Sequence, residues 1–157
     1  MSSESFEFPI HGRLAGIDFG TVRIGISVCD AERILASPHE NYSRQSIDED
    51  AEHFRQLVRS ESIVGFVVGL PVHSSGDESE KSKEARAFAS WLTATTGLPI
   101  AFYDERYTSA QAEQILSAAK FSKKQKKQRR DMLAAQIILA AFIDTPQRAD
   151  YTPGSLD

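Results

Sequence analysis

The chain has 157 residues, of which 41% are hydrophobic and 25% charged, with a net charge of −4. That balance excludes a fibrous, low-complexity or disordered chain, and the length suits one domain with a proper core. No apolar stretch reaches the roughly 18 residues that span a bilayer, so no membrane partner is expected, and the net acidity leaves room for nucleic acid only at a local basic groove.

Residues 1–12 and 145–157 are rich in Ser, Pro, Gly or acidic residues without any period, and read as flexible ends. The first of them is polar and acidic and lacks the pattern of a secretory signal. Cys29 is the sole cysteine, so no internal disulfide forms. It lies in an apolar run and reads as a small buried residue. A cytoplasmic location is the expectation.

Residues 13–144 read as one continuous domain. The pattern predicts a strand over 13–19, a turn at Gly20-Thr21 and a second strand over 22–29. Asp30-Ala31-Glu32 then turns the chain into a third strand within 33–42. Connections this short imply an antiparallel meander. Ile47, Ala51, Phe54 and Leu57/Val58 recur at helical spacing. Ile63-Val64-Gly65-Phe66-Val67-Val68-Gly69-Leu70 is almost continuously apolar and stops at Pro71, as expected of a strand covered on both faces. A helix is predicted over 77–95, with an acidic first turn, an inner stripe of Ala85, Phe88 and Leu92, and Gly97 as its stop. A fifth strand follows over 99–103. Thr108-Ser109-Ala110-Gln111 opens a third helix that carries Ala112, Ile115/Leu116 and Ala119. A fourth helix is predicted over 131–143, with Leu133/Ala134, Ile137 and Ala140/Ala141 facing inward. The order βββαβαβαα implies an α/β fold: a mixed five-stranded sheet, three antiparallel strands then right-handed βαβ crossovers, with helices on both faces. That order matches the RNase H-like fold.

Three carboxylates stand apart from the solvated surface. Asp18 interrupts the first strand in Gly16-Ile17-Asp18-Phe19-Gly20. A carboxylate inside an apolar run is costly unless something pairs with it. Glu105 follows the fifth strand in Tyr103-Asp104-Glu105-Arg106, and Asp131 opens the last predicted helix. Sites in open α/β sheets gather at the carboxyl ends of parallel strands, which suits Asp18 and Glu105. Converging carboxylates repel unless they hold cations, and carboxylate oxygens suit Mg²⁺ or Mn²⁺. Two such ions clamp the attacking and leaving oxygens of a phosphodiester. Each acid also has a plainer role: Asp18 as a strand-end cap of a hairpin turn, Asp131 as a helix-start charge, Glu105 as the ion-pair partner of Arg106. Asp104 competes with Glu105, because strand neighbours point to opposite faces.

Lys120, Lys123, Lys124, Lys126, Lys127, Arg129 and Arg130 form a run with no acidic residue, read as a basic loop directly before Asp131. Such cations bind a nucleic-acid backbone by releasing its counterions. Arg23 and Arg106 are further candidates for nucleic-acid contact, and Phe121 is either a base-stacking residue or an anchor for the loop. Gly69-Leu70-Pro71 with Gly76 forms a loop beside the proposed site, where His73 is the only histidine placed for a role. His11, His39 and His53 show no zinc-like spacing.

These blocks together resemble the YqgF/RuvX family of RNase H-like nucleases, related to the Holliday-junction resolvase RuvC. The likeness covers about residues 12–144. It rests on Gly16-Ile17-Asp18-Phe19-Gly20 with Arg23-Ile24-Gly25, on Val67-Val68-Gly69-Leu70-Pro71 with Gly76, on Asp104-Glu105-Arg106 with Thr108-Ser109, and on Asp131 with Ala134-Ala135 and Ile138-Leu139. The resemblance implies a nuclease that matures the 5′ end of pre-16S ribosomal RNA, with a Holliday-junction resolvase as the older reading of the family. It also implies Asp18, Glu105 and Asp131 as the acidic site, using Mg²⁺ or Mn²⁺. RuvC-type resolvases carry their second acid on the fourth strand. This chain has Gly69-Leu70-Pro71 there, so its second carboxylate must come from the fifth. Branched DNA and a non-cleaving role in ribosome assembly are the alternatives. The first glycine-rich block also looks like the phosphate loop of actin-like ATPases, but those enzymes close two such domains around the nucleotide and this chain has one.

Overall fold

The structure, a computed structural model, describes residues 8–71, 79–107 and 123–145, with backbone alone at 107 and 123–131. Its strands are β1 (Arg13–Asp18), β2 (Arg23–Cys29), β3 (Ala36–Ser43), β4 (Ile63–Leu70) and β5 (Ile100–Asp104). Its helices are α1 (Ile47–Glu61), α2 (Glu80–Thr96) and α3 (Lys123–Ile143), with a 3₁₀ turn at Glu105–Tyr107. The predicted helix opened by Thr108, together with Lys120, Phe121, His73, Gly76 and Asp77, lies outside the described residues.

The sheet order is β3-β2-β1-β4-β5. β1–β2 and β2–β3 are antiparallel, whereas β1–β4 and β4–β5 are parallel. Side chains alternate between two cores. Ala15, Ile17, Phe66, Val68, Leu70 and Phe102 pack on one face against Phe54 and Leu57 of α1 and Phe88 and Leu92 of α2. Leu14, Val67 and Ala101 pack on the other against Ile138, Leu139 and Phe142 of α3. The parallel strands are thus covered on both faces, which accounts for the unbroken apolar run of β4. Phe54, Phe66 and Phe142 are almost completely buried, each contributing roughly 1.5–3 kcal/mol. No helix among the described residues is long and apolar enough to cross a membrane.

Local chemistry sets the ends of the elements. Ser46 and Glu49 form a capping box on α1, and Gly97 ends α2 in the left-handed region at φ 77°. β3 begins at Ala36, inside the span predicted to contain it. Asp30 Oδ1 accepts the backbone N–H groups of Ile34 and Leu35, and Arg33 turns left-handed at φ 59°, so 30–35 stays a turn. Ile47 fits the helical spacing, but at the first residue of α1 it is 69% exposed. The largest correction concerns the basic run. From Lys123 to Arg130 it is helix, not loop, because Lys, Gln and Arg are good helix formers and nothing there breaks the ladder. Asp131 therefore lies inside α3 rather than at its start, and the helix-dipole role proposed for it falls away. The buried side of α3 is also broader than its predicted stripe, adding Ala135, Ile138, Leu139 and Phe142.

Candidate active site

Asp18 ends β1 on the α3 side of the sheet, two residues beyond Gly16. Beside it, β4 ends at Gly69-Leu70, and β5 pairs Asp104 with Leu70. Glu105 is the next residue, held by the 3₁₀ turn. Asp18 and Glu105 line a single cleft of about 400 Å³ at the carboxyl ends of β1, β4 and β5. Gly20, Thr21, Val22 and Arg23 form its wall on the β1–β2 side, with Gly69 and Pro71 between the two acids. Lys81, Glu84 and Ala85, from the first turns of α2, close the far side.

Strand alternation separates the two neighbouring acids, as expected. Asp104 is 2% exposed and turns to the α2 side. Its carboxylate accepts from Arg106 Nε at 2.8 and 3.0 Å and from the Arg106 backbone N–H at 2.9 Å. Arg106 is therefore an ion-pair partner of Asp104. Burial pushes the Glu105 carboxyl above the ordinary range, the charge of Asp104 adds to this, and Lys81 opposes it.

α3 descends the sheet as β1 and β4 ascend. Ala135 and Leu139 lie over Gly16, and Ser27 Oγ donates to Ala135 O at 2.7 Å. Further along, Phe142 packs edge-on against Phe8, which borders Gly65 near the start of β4. The backbone of Asp131 is one helical turn before Ala135.

Among the described side chains, no three of His, Cys, Asp and Glu form a metal-binding group. Arg23 lies on the cleft, as its motif suggested, while Arg106 does not line it. Lys123, Lys124, Lys126, Lys127, Arg129 and Arg130 share one helix with Asp131. Lys81 and Glu84 are additions that sequence reasoning missed. In Glu80-Lys81-Ser82-Lys83-Glu84 they look like an ordinary solvated helix face, and only the docking of α2 over the sheet end brings them to the cleft. Cys29 is buried, as expected, and accepts a weak hydrogen bond from Leu14 N–H at 3.3 Å.

A model of the RuvX family, described as Holliday junction resolvase, matches residues 12–145. A Rhodopirellula baltica protein named “Putative pre-16S rRNA nuclease” is 49% identical over 137 residues, which cover 87% of this chain and 79% of that protein. A protein of the same name from Sphingopyxis alaskensis is 40% identical over 140 residues, 89% of this chain and 91% of the relative. Among solved structures, Thermus thermophilus RuvC in complex with a Holliday junction substrate aligns at TM-score 0.61 and 13% identity, over 91% of this chain and 99% of that one. The yeast mitochondrial Holliday junction resolvase Ydc2 aligns at TM-score 0.51 and 12% identity, over 89% and 80%. At such identities the likeness is one of fold, and it agrees with the strand order and the two-sided helix cover. The chain belongs to the RuvX family of nucleases, built on the RNase H-like fold.

Proposed function

We propose that the protein is a divalent-metal-dependent endonuclease that hydrolyses phosphodiester bonds of precursor ribosomal RNA, at the 5′ end of pre-16S rRNA, in the cytoplasm. The observation that carries this reading is the meeting of Asp18 and Glu105 in one cleft at the carboxyl end of the sheet. Hard oxygen donors of this kind suit Mg²⁺ or Mn²⁺. The raised carboxyl of Glu105 supports the same reading, because a nearby cation relieves the charge that burial and Asp104 disfavour.

Asp131 is the third acid in this reading. From Gly16 to Asp18 the strand advances about 6.6 Å. From Ala135 back to Asp131 the helix advances about 6 Å. Since Ala135 lies over Gly16, the two acids belong at one level. Asp18, Glu105 and Asp131 would hold the ions. Bound there, Mg²⁺ or Mn²⁺ supplies a Lewis acid that stabilises charge on the phosphoryl oxygens. The chain itself fixes the acids on rigid elements. Arg23 binds a neighbouring phosphate at the cleft wall, and the basic start of α3, with Lys120 before it, grips the backbone farther along.

The test is digestion of precursor 16S rRNA by purified protein, with and without Mn²⁺, beside an Asp18→Asn variant. Metal-dependent cleavage that the variant lacks supports the reading. Binding without cleavage under any metal would leave a non-cleaving assembly factor. A four-way DNA junction belongs in the same assay, because the family description names that substrate. Preference for the junction over RNA makes the protein a resolvase.

A further inference from the structure

A second hollow, of about 320 Å³, adjoins the carboxylate cleft. Phe19, Thr21 and Glu84 line both, so the two lie side by side. The walls of the hollow come from the start of α1, from α2 and from Arg44, which follows β3. Ile47 contributes an apolar side chain that is 69% exposed. Half-buried Trp91 packs on Phe88, with ring centroids 5.4 Å apart, and lines the hollow as well. The Arg44 guanidinium lies 5.3 Å from the Phe19 ring centroid.

A tryptophan, an exposed isoleucine and an arginine around a hollow of this size suit a flat aromatic ligand. Its position beside the cleft says where that ligand comes from. We infer that the hollow is a nucleobase subsite, taking one unstacked base of the strand whose phosphate lies between Asp18 and Glu105. The inference rests on the nuclease reading and adds a requirement: the strand arrives single-stranded or with a base turned out of its stack. Glu84, which lines both cleft and hollow, favours a base over a second phosphate in the hollow, since its carboxylate repels phosphate and accepts from the amino edge of a base. Asp50 does not oppose this. It is buried, and its oxygens are taken by Tyr42 at 2.6 Å, Gln45 N–H at 2.8 Å and Arg44 at 3.4 Å.

Trp91 is the only tryptophan of the chain, so its fluorescence reports on this hollow alone. The experiment titrates Asp18→Asn protein with a short dye-labelled single-stranded oligoribonucleotide and with an abasic version of it. Dye anisotropy follows binding and Trp91 fluorescence follows stacking. The base-bearing strand should quench Trp91 and the abasic strand should not. Adding Ile47→Asp should weaken the base-bearing strand about tenfold and reduce the quench, as loss of base stacking does. That substitution spares the fold, because Ile47 is exposed and an acid is favoured in a first helical turn. Equal quenching by both strands overturns the subsite, as does an Ile47→Asp variant with unchanged affinity. Binding without quenching also overturns it while the nuclease reading stands. Absence of binding overturns the subsite alone if wild-type protein still cuts precursor RNA, and both readings if it does not.

Discussion

Glu105 occupies the room that a side chain at Gly69 would need. A β carbon built at Gly69 would lie 2.6 Å from Glu105 Oε2 and 2.5 Å from Ile138 Cδ1. The fourth strand gives up its side chain at this level, and a carboxylate from beyond the fifth strand lies there instead. That exchange explains how a chain with Gly69-Leu70-Pro71 on the fourth strand still places two acids in one cleft.

Gly69→Ala should therefore damage activity more than stability. Both atoms it meets are the ends of flexible side chains, so the fold can yield by moving them, at about 1–3 kcal/mol. Moving Glu105 should cut cleavage at least about tenfold, since small misplacements of site groups are expensive. Gly16→Ala should behave differently. Its β carbon would lie 2.4 Å from Ser27 Oγ and 2.8 Å from the backbone oxygen of Ala135, across a buried hydrogen bond. Denaturant unfolding of both variants, with cleavage rates per folded molecule, checks the contrast. A Gly69→Ala protein with wild-type cleavage would show that the position of Glu105 is not critical.

Glu105→Gln and Asp104→Asn should separate ligand from support. Loss of Glu105 should lower cleavage at least about 100-fold, past the range of residues that only brace a metal ligand. Asp104→Asn removes half of an ion pair in which Asp104 is 2% and Arg106 31% exposed. The expected loss is about 1–3 kcal/mol of stability, discounted from a fully buried pair because water reaches Arg106. Cleavage should largely survive at temperatures where the variant is folded. A dead Asp104→Asn beside an active Glu105→Gln would exchange their roles.

In metal-free protein the Glu105 carboxyl should contribute less stability as pH rises above the ordinary Glu value of 4.5. Burial, followed by the charge of Asp104, raises the folded carboxyl above its unfolded counterpart. Between the two values the native state binds the extra proton, so stability falls with rising pH. The Glu105 contribution is greatest below 4.5 and stays reduced once the folded group has ionised. Glu105→Gln should remove this slope and be the more stable protein at neutral pH. Added Mn²⁺ should reverse the order by favouring the ionised wild type. Urea unfolding at several pH values, with and without Mn²⁺, measures both effects, and identical slopes for the two proteins would sink the argument.

What the sequence revealed followed local rules. The meander was legible because its turns are short, and β4 because its apolar run lacks polar interruptions. Asp18 stood out as a carboxylate inside a strand, and the motif resemblance picked Glu105, with alternation turning Asp104 the other way. What it hid was set by contacts distant in the chain. Nothing near Gly69 announces that Glu105 fills its place 36 residues on. Lys81 and Glu84 look solvated until α2 docks over the sheet end. Ile47 fits the helical period but stands at the first residue of α1, where it lines the second hollow instead of the core. The basic run was misread because clustered charge suggests a loop, whereas the helix preferences of Lys, Gln and Arg outweigh repulsion of a few tenths of a kcal/mol per pair.

That last correction sharpens the prediction for the basic run. On a helix the six cations from Lys123 to Arg130 do not share one surface. Lys124 and Lys127 precede Asp131 by seven and four residues, which is one helical stripe, whereas Lys126 and Arg129 are at spacings of five and two. Lys124→Gln with Lys127→Gln should therefore weaken binding of nucleic acid more than Lys126→Gln with Arg129→Gln, although both pairs remove two charges. Each lost phosphate contact flattens the log–log salt dependence by about 0.9 for duplex and about 0.7 for single strands. The first pair should reduce the slope by about 1.8 or 1.4, and the second by little. Cleavage at saturating substrate should change less than affinity in either variant, because these side chains position the backbone and do not react. Filter binding across a range of salt gives both slopes. Equal slopes for the two variants would mean that the run acts as undirected charge, and the alignment of its cations with Asp131 would then carry no weight in the case for a nucleic-acid substrate.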